Sequence, residues 1–160
     1  MQRRAILKVL SQLSRFGLAA MFLFAAGAKL YTFTDFAANL TNLVPERFVW
    51  PVAVAVIATE ILAAALLLWP RTARLGATLS AFLLVGFAAY ALYYVYALHG
   101  EPLECGCFGG IIASQLGVST ALRNLALLIP VALIFLGHPR PQKSARVETD
   151  SPPAFPPTPA

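Results

Sequence analysis

Four uninterrupted apolar runs govern what this chain can become: Phe16 to Phe33, Trp50 to Trp69, Leu75 to Leu98 and Thr120 to Gly137. A hydrocarbon core about 30 Å thick is crossed by roughly 20 apolar residues in an α-helix, and at about 1.5 Å per residue each run is long enough. Backbone in hydrocarbon must satisfy its own N–H and C=O groups, which confines such runs to helices packed side by side. Composition agrees, since 12% of the residues are charged where a soluble domain carries about 25%. The expected fold is therefore an all-α integral membrane protein, a bundle of four transmembrane helices. Trp50 and Trp69 bracket the second span as interfacial anchors, and Pro51 suits a first helical turn. Tyr90, Tyr93, Tyr94 and Tyr96 mark an interface at the end of the third span, and Pro130 should bend the fourth.

Lys and Arg beside membrane helices are retained in the cytoplasm. Arg3, Arg4, Lys8 and Arg15 precede the first span, Arg71 and Arg74 lie between the second and third, and Arg140, Lys143 and Arg146 follow the fourth. With four crossings these groups share one side, which puts both termini in the cytoplasm. The loops 34–49 and 99–119 hold Asp35, Glu46, Glu101 and Glu104 against Arg47 alone, and they face outward. This organisation reads as a basic cytoplasmic N-terminus (1–15), a transmembrane domain (16–137, with spans near 16–33, 50–69, 75–98 and 120–137) and a Pro-rich, disordered cytoplasmic tail (138–160). Ala26-Gly27-Ala28 after a basic start also imitates a secretory cleavage site; cleavage there would leave the later loops on the same side. The net charge of +5 is accounted for by orientation, and basic stripes with interleaved aromatics, the mark of a nucleic-acid binder, are absent.

Both cysteines of the chain sit one residue apart in the second outer loop, in Glu104-Cys105-Gly106-Cys107-Phe108-Gly109-Gly110. Outside a bacterial plasma membrane the compartment is oxidising, and disulfides form and persist there. Three readings follow. A bridge across so short a loop removes little freedom from the unfolded chain, so it braces weakly. The ring is strained, and strained bridges are the more easily reduced; Gly106 relieves part of the strain. That favours exchange chemistry. As a third reading, two thiolates with His99 would suit a soft metal, but closed structural zinc sites use four ligands and His138 falls on the opposite side, so no metal is expected.

Ionisable residues within apolar spans cost several kcal/mol each unless paired, on scales that differ widely. Glu60 lies about 15 Å down the second span from Trp50, near the midplane. Lys29 stands near the outer end of the first, and Arg123, with Asn124 beside it, lies about one turn into the fourth. In one reading Lys29 and Arg123 snorkel to the outer headgroups while Glu60 is neutral or hydrogen-bonded between helices, flanked by Ala63 and Ala64. In the other, Glu60 pairs with Lys29 or Arg123 inside the bundle and leaves a cation near Cys105 and Cys107, where it would stabilise a thiolate. Solute transport guided by Glu60 is a further class, thinly supported without a broken helix or a repeat.

These residues resemble a known family. The run Cys-Gly-Cys-Phe-Gly with Arg123-Asn124 downstream, four apolar spans and a first helix ending Ala25-Ala26-Gly27-Ala28-Lys29-Leu30-Tyr31 are similar to the MauE proteins of methylamine utilisation, grouped with DoxX-like redox-associated membrane proteins. The likeness runs from about Leu13 to Leu136. It implies a multi-pass protein of the bacterial inner membrane with a redox-accessory role in maturing a disulfide-rich periplasmic dehydrogenase subunit, beside a thioredoxin-like partner. By that resemblance Cys105 and Cys107 form the thiol pair of a thiol-disulfide oxidoreductase component, with Arg123, Asn124, Glu60 and Lys29 in support. One cysteine pair holds two electrons, so a second redox partner, protein or quinone, must be supplied. The competing class is a non-catalytic assembly factor whose cysteine bridge only shapes a docking loop.

Overall fold

A computed structural model of the chain describes residues 2–97 and 117–137. Among these, six helices account for the regular structure: α1 (Gln2–Tyr31), α2 (Phe33–Leu40), α3 (Glu46–Leu68), α4 (Ala73–Tyr96), α5 (Val118–Ala126) and α6 (Leu128–Gly137). Four spans are long and apolar enough to cross a bilayer: Ala5–Tyr31, Glu46–Leu68, Ala73–Tyr96 and Val118–Gly137. The protein is thus a multi-pass membrane protein whose described residues are all-helical in fold. The expectations for Cys105, Cys107, His99 and the 138–160 tail lie outside the described residues.

The element ends follow local chemistry. Helix α1 begins well before Phe16 and runs through the basic segment. Helix α3 starts earlier than Trp50, with Pro45 as N-cap and the Phe48 N–H donating to the Pro45 carbonyl at 2.8 Å. Pro51 therefore lies inside the helix, not in its first turn as the sequence suggested. The same helix stops at Leu68 because Trp69 precedes Pro70 and takes an extended conformation, the one a following proline favours. Thr72 closes the turn by donating its hydroxyl to the Leu66 carbonyl at 3.0 Å. The fourth span breaks at Leu127, between α5 and α6. Pro130 has no N–H for the Ala126 carbonyl and its ring crowds that turn, which accounts for an interruption one turn ahead of the proline.

Helix α1 packs against α3 and α6, and α4 packs against α3, α5 and α6, which closes a ring of four spans. Leu18, Ala19 and Phe22 of α1, Ala63, Ala64 and Leu67 of α3, Ala77 and Leu84 of α4, and Val131 and Ile134 of α6 form one continuous core. Hydrophobicity does not pull helices together in lipid; close packing of small residues does. A Cβ at Gly76 would stand 2.7 Å from the Leu67 backbone nitrogen and 2.9 Å from the Leu66 carbonyl carbon, so α3 and α4 touch backbone to backbone there. Gly137 is in similar contact with the Ser11 side chain, where α6 meets α1. Large apolar residues such as Phe24, Val54, Leu62, Phe82 and Leu136 point outward. In water such a surface would aggregate; against acyl chains it is solvated.

Short helix α2 was not foreseen. Phe36, Ala37 and Leu40 fall on one face by their helical spacing and bury against Val49, Ala53 and Ile57 of α3 and Ala26 of α1, while Phe33 meets Trp50 with ring centroids 4.9 Å apart. α2 caps the end of the bundle at which α1 finishes and α3 begins. The chain leaves α4 and enters α5 at that same end, so the cysteine-bearing segment is attached there.

Gly76→Ala should lower stability by about 1–3 kcal/mol, because two backbones must separate. Gly86 is exposed and nothing lies within 4 Å of a Cβ built on it, so Gly86→Ala should raise stability by up to about 1 kcal/mol through helix propensity. Thermal unfolding of the two variants in detergent checks this, and equal midpoints would refute the close approach.

Candidate functional site

Lys29 and Glu60 are each 1% exposed, and the lysine Nζ donates to Glu60 Oε1 at 2.7 Å. The reading in which Lys29 snorkels to the headgroups is overturned. Side chains on a helix lean toward its N-terminus, and Lys29 is two residues from the C-terminal end of α1. Its four-carbon stem consequently runs inward along the bundle, toward the carboxylate on α3. Phe36 of α2 and Phe87 of α4 both place their rings 5.6 Å from the Nζ, within reach of a cation–π contact. One ammonium thus touches α2, α3 and α4 from α1. Ala63 and Ala64 are fully buried one turn along α3 from Glu60, the small flank that lets neighbouring helices close around it.

Glu60 uses one oxygen for Lys29. Its Oε2 is buried and has no hydrogen-bond partner among the described residues, and neither has Asn124 Nδ2. Asn124 is 5% exposed. Glu60 and Asn124 both line one cavity of about 20 Å³ between the helices, together with Phe22 of α1, Leu84 and Phe87 of α4 and Leu127. The cavity is far smaller than a quinone head group requires.

Four of the six residues singled out from sequence can be placed. Lys29 and Glu60 are brought into contact, and Asn124 faces the same interior. Arg123, next to Asn124 on α5, is half-buried. Tyr94 is buried beside Ala88, Ala91 and Ala121, whereas Tyr93 and Tyr96 point outward. Sequence reasoning missed Phe36 and Phe87. The spacing of Phe33, Phe36, Ala37 and Leu40 would have revealed the first; a phenylalanine in an apolar span carries no signal for the second. Arg15, counted among the cytoplasmic bases, lies within α1 and is 4% exposed, with its guanidinium carbon 4.8 Å from the centre of the Phe16 ring.

Removing one partner of a buried pair strands the other charge, at a cost of about 3–5 kcal/mol, while replacing both with apolar residues is often neutral. Lys29→Met and Glu60→Leu should each destabilise by that order, and the double variant should recover most of the loss. A double-mutant cycle on unfolding in mixed micelles measures this; additive losses would show that the pair does not couple the helices.

The family model described as methylamine utilisation protein MauE matches residues 7–137. No curated protein and no solved structure matches the chain. A family match over most of the chain places this four-span protein in the MauE family.

Proposed function

We propose that the protein is a redox accessory of the bacterial inner membrane, exchanging disulfides through Cys105 and Cys107 with a periplasmic thioredoxin-like protein. Membership of a methylamine utilisation family carries this reading, and a disulfide-rich dehydrogenase subunit is the client it implies. The basic residues around residues 1–15, 71–74 and 140–146 support cytoplasmic termini, which sets the α2 end of the bundle, and the cysteine segment attached to it, on the oxidising side.

In the exchange a thiolate of one protein attacks a sulfur of the other's disulfide, forming a mixed disulfide and expelling the second sulfur as thiolate. The remaining cysteine of the attacking pair then displaces the partner. Two electrons and two protons pass in total, and a second protein or a quinone must take or supply them. Lys29 is engaged by Glu60, so in this reading the cation assisting the thiolate is Arg123, on the first described helix that follows the cysteine segment.

Cys105→Ser or Cys107→Ser should trap a mixed disulfide with a periplasmic protein, visible as a reducible band on a non-reducing gel. Absence of such a band from both single variants, with function kept in the double variant, would leave a docking scaffold instead. A membrane-impermeant thiol reagent applied to intact cells after mild reduction should label both cysteines; labelling only after lysis would reverse the orientation.

A further inference from the structure

We propose that the central cavity binds one water molecule, held between Glu60 Oε2 and Asn124 Nδ2, and that this water completes a polar chain from Lys29 through Glu60 to Asn124. Three observations converge. Both atoms are buried without a hydrogen-bond partner among the described residues, and the two residues that carry them line the same space. A buried polar atom left unsatisfied costs free energy, and hydrocarbon outside the bundle offers it nothing. The cavity volume of about 20 Å³ exceeds the roughly 10–15 Å³ that one water needs and is too small for an organic ligand.

The chemistry of the two atoms selects the occupant. A carboxylate oxygen only accepts, and an amide nitrogen only donates. A molecule bridging them must donate to the first and accept from the second, which water does with one O–H and one lone pair. A cation would face the Asn124 N–H and the Lys29 charge, and an anion would face Glu60. The neutral, amphoteric molecule is the one the site fits.

The consequence is mechanical. The direct pair fastens α1 to α3, and the water extends that link to α5, the first described helix that follows the cysteine segment. Glu60 thereby has both oxygens engaged, and α5 is tied to the bundle interior by a polar contact that its apolar neighbours cannot supply. The proposal stands apart from the thiol chemistry and holds whether or not exchange occurs.

The test is solid-state NMR on the full chain in lipid bilayers, reading magnetisation transfer from water protons to the Asn124 side-chain amide, assigned by its loss in Asn124→Leu. Transfer is expected in the wild type, and it should fall severalfold in the Lys29→Met/Glu60→Leu double variant, which removes the acceptor without stranding a charge. No transfer in the wild type would overturn the proposal. So would transfer of equal strength in a folded double variant, which would show that Glu60 does not hold the water.

Discussion

A lysine and a carboxylate 2.7 Å apart in the interior of a membrane bundle exist there only because each compensates the other. Either charge alone would be expelled, or would carry water in with it. The contact therefore sets conditions on everything around it. Helix α1 must end where the lysine stem can reach inward, α3 must present Glu60 to it, and the rings of Phe36 and Phe87 must close over the ammonium from α2 and α4. The bundle's closure at this end is an electrostatic requirement as much as a packing one.

The other end is held differently. Around Gly76 and Gly137 the helices approach through small residues, with backbone against backbone or backbone against Ser11, and dispersion forces replace charge as the reason for contact. The two devices divide the molecule. Small-residue packing fixes the end near the α3–α4 turn, and the ion pair organises the region between the centre and the α2 end. The segment that carries Cys105 and Cys107 joins α4 and α5 at the latter end, so the part of the chain proposed to carry the chemistry is anchored to the part of the fold built on paired charge.

Much of this was legible in the residues. Runs of about 20 apolar positions leave helices as the viable outcome in lipid, and four of them specified the spans without further information. Family membership was legible from the Cys-Gly-Cys-Phe-Gly run with Arg123-Asn124 and the Lys29 helix end. That Glu60 needed a partner followed from its depth, but the choice between Lys29 and Arg123 depended on helix rotation and on which spans are neighbours, neither of which one-dimensional spacing encodes. Lys29 looked like a snorkelling residue because it stands near a helix end; the backward lean of helical side chains sends its stem the other way. Pro51 suggested a later start for α3 than occurs, because Pro45 already supplies the cap. Phe87 was invisible, being one aromatic among many apolar positions, and the cavity beside it arises only once four helices are assembled.

The central claim is that Lys29 and Glu60 meet inside the bundle. Its most direct test is the dipolar coupling between lysine ¹⁵Nζ and glutamate ¹³Cδ in selectively labelled protein reconstituted in bilayers. A strong coupling that disappears in Lys29→Met is the predicted result. No coupling in the wild type, with the protein folded, would mean that the two charges are apart and that the bundle is closed by something else.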